Sequence, residues 1–253
     1  MSTIDLNCDM GESFGVYNLG YDEQAMPHVT SINVACGFHA SDPSNMMKTV
    51  RLAKKYGVAI GAHPSFPDLV GFGRRFMAAS VEEIKADVIY QIGALMAMCR
   101  SEGLSLQHVK AHGALYNAAG DDIAVGRAIA EAIKAVDQNL YMLCLGKSQM
   151  VSAAKEVGVK YVEEAFADRA YTSKGTLVSR KQAGAVIHDL ETVAARVLSM
   201  VKDKQVIGFD GAIVPIQAQT ICVHGDTPGS VDMIKLIRQT MENENITLKP
   251  FGR

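Results

Sequence analysis

The sequence predicts an α/β fold, and within that class a (β/α) barrel, on three observations. Short apolar runs alternate with longer amphipathic ones from end to end, about seven times over, with no linker composition between halves. That alternation favours parallel strands covered by helices. The polar residues gather at the C-terminal ends of five or more strands. In a barrel those ends form one rim around a shared mouth, whereas an open sheet concentrates its site at one switch point. Length is compatible: at a nominal ~150 residues per domain, 253 residues fit one large barrel as well as two small domains. The expectation is a single TIM-like barrel domain over residues 1–253, closed or slightly incomplete, with about seven parallel strands.

The elements follow in order. Residues 4–8 read as the first strand and 31–36 as the second. Residues 43–56 have helical spacing, with Ser41 or Asp42 placed to cap, Pro43 in the first turn and Gly57 at the stop. Residues 58–62 form a third strand halted by Pro64, and a loop rich in glycine, proline and charge runs to Met77. Ser80-Val-Glu-Glu83 is a capping box, opening a helix to about Glu102 with Gly103 at its end. Residues 107–111 are a fourth strand, and 121–136 a helix with Ile123, Ile129 and Ile133 on its buried stripe. Strands at 140–145 and 160–164 flank a helix at 148–156. Residues 186–200 are helical, 208–216 form a small hairpin turning at Asp210-Gly211, 220–223 are the last clear strand and 231–243 the last helix.

Composition excludes several functions. Twenty-five Lys+Arg against 27 Asp+Glu leave a formal charge of -2, with no basic run for nucleic acid. No run of about 18 apolar residues is present to cross a membrane, and the opening MSTIDLNCDMGES is not a signal peptide, so the expected location is the cytoplasm. Five scattered cysteines without C-x-x-C spacing argue against a disulfide scaffold and a thiolate zinc site. Cys8, Cys36 and Cys222 read as small buried hydrophobes, turned away from the polar face or set inside apolar strands. Neither G-x-G-x-x-G after a strand nor G-x-x-x-x-G-K-[ST] occurs, so no standard nucleotide fingerprint is present.

The candidate chemistry lies on the rim. Period two puts Asp5, Asn7 and Asp9 on one face of the first strand, and Lys110 with His112 on one face of the fourth. Such groups are costly to bury unless paired or bound to something. Lys110 is therefore either an interior ion-pair partner of Asp5 or Asp9, or a cation that orients an anionic substrate, and the two roles are compatible. Of seven histidines, His39, His63, His112 and His224 all follow strand cores, while His28, His108 and His188 read as structural or surface groups. The first four suit acid–base work. Asp9, His39 and His63 alternatively supply oxygen and nitrogen ligands for a divalent metal, although no H-E-x-x-H or H-x-x-E-H spacing supports it. Gly71-Phe72-Gly73-Arg74-Arg75 reads as a ligand-embracing loop, with Arg74 or Arg75 to grip a carboxylate or phosphate, or as an ordinary solvated loop.

Several long motifs together resemble the LamB/YcsF family: DLNCDMGESFG (5–15), NVACGFHASDP (33–43), GAHPSFPDLVGFGRR (61–75), VKAHGALYN (109–117), EAFADRAY (164–171) and CVHGDTP (222–228). They occur in the family's order and span nearly the whole chain. The resemblance implies a barrel of the glycoside hydrolase/deacetylase-like type, a superfamily that often carries metal at its mouth. It also implies opening of 5-oxo-L-proline to L-glutamate with hydrolysis of ATP, Mg as the ATP counter-ion, and action with partner subunits B and C. Under that chemistry Asp9 or His63 activates water, and Lys110 and His112 stabilise developing negative charge. Arg74 holds a carboxylate or phosphoryl group, and Asn7, Glu12, His39, His224 and Asp226 join it as substrate-binding candidates. Two competitors stay open: a metal-dependent deacetylase-like hydrolase acting alone, and a non-catalytic lactam- or carbohydrate-binding subunit.

Overall fold

A computed structural model of the chain describes residues 2–224 and 229–252. Its strands are β1 (Thr3–Met10), β2 (Ser31–Ala35), β3 (Ala59–His63), β4 (Leu106–Val109), β5 (Tyr141–Leu145) and β6 (Lys160–Phe166). They are followed by β7 (Gln205–Ile207), β8 (Ile213–Pro215), β9 (Thr220–Val223) and β10 (Thr247–Leu248). The helices are α1 (Asp22–Ala25), α2 (Pro43–Tyr56), α3 (Val81–Ser101), α4 (Gly113–Asp121), α5 (Ile123–Val136), α6 (Gln149–Val157), α7 (Leu190–Lys202) and α8 (Ser230–Asn243).

Seven parallel strands close into a barrel in the order β1-β2-β3-β4-β5-β6-β9. The ring is sealed where β9 pairs with β1, Asp5 opposite Thr220 and Cys8 opposite Val223. β10 adds outside the ring to the start of β1, and β7–β8 form the antiparallel hairpin the Asp210-Gly211 turn predicts. Of the closed and slightly incomplete barrels expected, the structure is the closed one, of seven strands. No helix among the described residues is long and apolar enough to cross a membrane.

Local signals act where the sequence places them. Asp42 caps α2 by accepting from the amides of Ser44 and Asn45, and Gly57 ends it in the left-handed conformation. The Ser80/Glu83 capping box opens α3. Four elements differ from expectation. The helix predicted at 121–136 is preceded by a separate one, α4, because Asp122 is extended and starts α5 by capping Ala124. α7 starts at Leu190, where Asp189 caps Thr192, four residues later than its apolar spacing indicates. α1 and β10 are too short to carry a periodic pattern.

Each barrel strand is buried on both faces, and the two faces differ in chemistry. Leu6, Cys8, Ile32, Val34, Ile60 and Ala62 belong to the continuous aliphatic core. The opposite face of these strands carries Asp5, Asn7, Ser31, Asn33, Glu164 and Thr220, all buried. Barrel interiors of this class are usually filled by branched apolar layers. Here a hydrogen-bonded network fills the interior. Asp5 accepts from Thr30 Oγ1 at 2.6 Å and Ser31 Oγ at 2.8 Å, and Asn33 Nδ2 donates to Asn7 Oδ1 and Asp9 Oδ1, both at 2.8 Å. Asn7 Nδ2 donates to Thr220 Oγ1 and Glu164 Oε1. His108, read from sequence as a structural or surface group, is structural: it reaches into this network with Nε2 2.7 Å from Asn33 Oδ1. Gly61 makes room for it: a Cβ there would stand 2.1 Å from His108 Nε2.

Candidate active site

The interior network opens at the C-terminal ends of the strands into a cavity of about 800 Å³. Asp9, near the end of β1, and Lys110, just after β4, form its floor. Lys110 Nζ lies 3.2 Å from Asp9 Oδ1 and 3.0 Å from Glu164 Oε1, and is almost completely shielded from solvent. The ammonium also stands over the Phe166 ring and within 2.9 Å of Cys222 Sγ. Burial works against its charge, but the two carboxylates outweigh burial and hold its pKa well above the ordinary lysine value. Burial likewise raises the Asp9 pKa, while the charges of His63 and Lys110 pull it well below the usual carboxylate range. Asp9 and Lys110 are therefore a committed ion pair, of the two pairings the sequence allowed. Asp5 lies deeper, where burial pushes it up to about 6 despite three hydroxyl donors.

One wall is a cluster of histidines with Glu12. His63, the last residue of β3, has Nδ1 2.7 Å from the Lys110 carbonyl and Nε2 3.3 Å from Asp9 Oδ2. His112, which starts α4, places Nδ1 3.0 Å from His63 Nε2 and Nε2 2.8 Å from the Phe72 carbonyl. His39 stacks flat on His112 at 3.7 Å, with Nδ1 3.1 Å from Ser65 Oγ and Nε2 3.4 Å from Glu12 Oε1. Burial, reinforced by the neighbouring imidazoles, pushes the pKa values of His39 and His112 well below normal, which keeps both rings neutral. Glu12, His39, His63 and His112 could together hold a metal ion, since one donor atom from each lies within 4.8 Å of the others. From the ligand set expected on sequence, His39 and His63 belong to this group, while Asp9 stands beside it against His63.

Residues 64–77 hold the histidines in place. Gly73 has φ +63°, and a Cβ there would come within 2.8 Å of both His112 Cδ2 and His39 Cβ. Its carbonyl accepts from Ala114 N, tying the loop to the first turn of α4. Arg75 is engaged with Asp68 in the same loop, whereas Arg74 faces the cavity beside Phe72.

The far wall is basic. Among the cavity-lining residues, Arg74, Lys110, Lys147, Arg169, Lys174, Arg180 and Lys181 face only Asp9, Glu12 and Asp121 in opposite charge. Burial, with Arg180 nearby, lowers the Arg169 pKa to about 10. His224 is held at Nδ1 by Asp168, 2.9 Å away, and stacks on Phe166.

Of the residues singled out from sequence, Asp9, Glu12, His63, Arg74, Lys110, His112 and His224 line the cavity. Asn7 and His39 stand behind it, and Asp226 lies outside the described residues. Cys222 corrects an expectation: it pairs opposite Asn7 on β1, so it shares the polar interior face and touches Lys110. Cys8 and Cys36 are buried as expected. Glu164 and Tyr116, whose hydroxyl donates to Glu164 Oε2 at 3.1 Å, are parts of the site that sequence reasoning left unassigned. Alternation from Glu164 to Phe166 on β6 was the available signal for the first; nothing periodic marks the second.

Fold and site together define a closed α/β barrel with an ionised, histidine-rich mouth and a basic outer wall. The chain belongs to the LamB/YcsF family, which matches it over residues 4–253. It is 51% identical over 253 residues to a protein of Clostridium beijerinckii named as the A subunit of 5-oxoprolinase, covering 100% of this chain and 99% of that one. It is 52% identical over 249 residues to a protein of the same name from Thermococcus onnurineus, covering 98% of each. The crystal structure of a lactam utilization protein from Thermus thermophilus superposes with a TM-score of 0.95 at 46% identity, over 98% of this chain and 100% of that one.

Proposed function

We propose that the chain is the A subunit of a 5-oxoprolinase, working as one barrel domain over residues 1–253. It acts with subunits B and C to open 5-oxo-L-proline to L-glutamate as ATP is hydrolysed to ADP and phosphate. The observation that carries this reading is identity of about half over the full length with relatives so named. With ATP as co-substrate and Mg as its counter-ion, the complex works in the cytoplasm. With no P-loop in this chain, ATP handling falls wholly or partly to B and C, or to this barrel through a different kind of site.

The site suits such chemistry. An unstrained lactam is a poor electrophile. Transfer of the γ-phosphoryl group to the lactam oxygen, with ADP leaving and the ring N–H proton lost, makes the ring carbon reactive. Water adds to that carbon, the C–N bond breaks with a proton passing to nitrogen, and γ-glutamyl phosphate results. A second water then releases phosphate and leaves glutamate. In this scheme Asp9 and His63, 3.3 Å apart, take the proton from water. Lys110, steadied by Glu164 and Asn7, faces the developing oxyanion. His112 has its ring N–H held by the Phe72 carbonyl, so it acts through the cluster it forms with His63 and His39. Arg74 and the basic wall receive the substrate carboxylate and the phosphoryl group, with Glu12 and His224 at their edges.

The test is 5-oxoproline-dependent ADP and glutamate release with each subunit omitted in turn. Turnover is expected only with all three, and Asp9→Asn in the folded complex should lower it by about 100-fold or more. Full activity of that variant would remove Asp9 from the chemistry. The histidine–glutamate cluster on its own favours a metal-dependent hydrolase acting alone. That reading requires ring opening by this chain without ATP, which the same omission series measures.

A further inference from the structure

Among the cations that line the cavity, only Lys110 and Arg169 are buried, while Arg74, Lys147, Lys174, Arg180 and Lys181 are exposed. The two buried ones are compensated differently. Lys110 stands between the carboxylates of Asp9 and Glu164. Arg169 has no carboxylate within ion-pair distance among the described residues, and the adjacent Asp168 is bound to His224 instead. Its guanidinium is held by backbone carbonyls alone, with Nε 3.4 Å from the Ala185 oxygen and Nη2 2.7 Å from the Val178 oxygen.

The segment between β6 and α7 is built round this side chain. Arg169 pairs with Val186 in an antiparallel bridge, and its own carbonyl accepts from Arg196 Nη2 at 2.9 Å. Ala170, Val178 and Ala185 form a small apolar cluster of their own beside it. The two carbonyls occupy the side-on edge of the guanidinium and fix its plane. Nη1 has no hydrogen-bond partner among the described residues, yet it is not sealed from solvent. The end-on edge therefore opens on the cavity that Arg169 lines. Two parallel N–H groups on a rigid edge match the two oxygens of a carboxylate.

Electrostatics favour an anion at that edge. A buried charge partnered only by neutral dipoles is costly, and a ligand of opposite sign offsets the cost. Arg180 and, more weakly, Arg74 add to the crowding of positive charge around the guanidinium. The two buried cations also suit different parts of a lactam acid. Lys110, already neutralised, fits charge that develops only during reaction. Arg169, uncompensated, fits a charge the substrate carries throughout. We propose that Arg169 is the carboxylate-binding residue of the cavity, its Nη1–Nη2 edge taking the carboxylate of 5-oxo-L-proline and leaving Arg74 and the other exposed cations to the phosphoryl group.

This assignment rests on the ring-opening reading for the identity of the carboxylate, and the test separates the two. Steady-state kinetics of the complex with subunits B and C are compared for wild type, Arg169→Met and Arg169→Lys, each shown folded by circular dichroism. KM for 5-oxo-L-proline is expected to rise about 100-fold in Arg169→Met and about 10-fold in Arg169→Lys, with kcat changed by less than about threefold. An unchanged KM in the folded variants would overturn the assignment, whether kcat holds or falls, since a purely structural role in the 170–186 segment lowers kcat alone. A wild-type complex that does not turn over 5-oxo-L-proline removes the ring-opening reading, and titration of the full chain alone then decides the site. The wild-type chain is expected to bind 5-oxo-L-proline about 100-fold more tightly than its neutral amide, and Arg169→Met to bind the two alike. Equal binding by the wild-type chain, or a preference kept in Arg169→Met, overturns the site. Should neither variant fold, a crystal structure of the wild-type chain soaked with 5-oxo-L-proline decides. Its carboxylate must lie within hydrogen-bond distance of Arg169 Nη1, and a carboxylate held elsewhere, or none bound, overturns the assignment.

Discussion

Lys110 shows at the scale of one residue how the site is both made and constrained. Its ammonium lies between Asp9 and Glu164, and removing it leaves Glu164 buried and both carboxylates without their shared cation. Lys110→Met should therefore destabilise the chain by about 3–5 kcal/mol, measured by urea unfolding at pH 7. Adding Glu164→Gln should recover a clear part of that loss. The glutamine oxygen still accepts from Asn7 or Tyr116, and one uncompensated charge is gone. A double variant no more stable than Lys110→Met would mean that Lys110 acts through packing on Phe166 instead. Period two alone placed Lys110 and Asp9 on inward faces, and so made them legible. Their third partner was harder to find, because β6 carries Glu163 and Glu164 side by side and only closure onto β9 decides which one turns inward.

At the scale of the element, the loop of residues 64–77 converts sequence motifs into geometry. Its composition announced a loop and its arginines announced a grip, but the contact of Gly73 with His39 and His112 depends on tertiary approach. Gly73→Ala tests that contact, with Gly37→Ala as the control. Both glycines have positive φ, +63° and +93°, so both substitutions carry backbone strain of about 1–2 kcal/mol. Only Gly73 has atoms in the path of the new Cβ, since nothing lies within 4 Å at Gly37. Gly73→Ala is expected to lower turnover of the complex about 10-fold or more while Gly37→Ala mainly lowers the melting temperature. Equal effects on turnover would show that the loop does not set the histidine positions. The same dependence on tertiary contact explains why α4 escaped sequence reasoning: its first turn is held by the Gly73 carbonyl, from the loop that follows the neighbouring strand β3.

Across the whole molecule, the alternation of strands and helices made the barrel readable, because each unit repeats one physical solution. The polar filling of its interior was readable only on β1, where Asp, Asn and Asp recur at period two. His108 belongs to that filling and carries a consequence for stability. Burial, with Lys110 nearby, lowers its pKa to about 3 from an ordinary 6.5. Its contribution to stability is therefore fully present above pH 6.5 and is lost as pH falls toward 3, since the unfolded chain takes up a proton that the folded one refuses. Asp5 runs in the opposite direction: raised to about 6, it favours the folded state fully below about 3.8, and that contribution is lost as pH rises through 6. Between pH 3.8 and 6 each exchanges about one proton and the two slopes oppose. Replacing the imidazole in His108→Gln, where the amide can still donate to Asn33, removes one slope and exposes the other. Between pH 6.5 and 5 the wild-type chain should lose about 1.5–2 kcal/mol relative to this variant. Urea unfolding of the chelator-treated chains at pH 5, 5.8 and 6.5 measures the difference. Parallel stability curves would mean that His108 titrates in the folded barrel, and that its place over Gly61 is open to water.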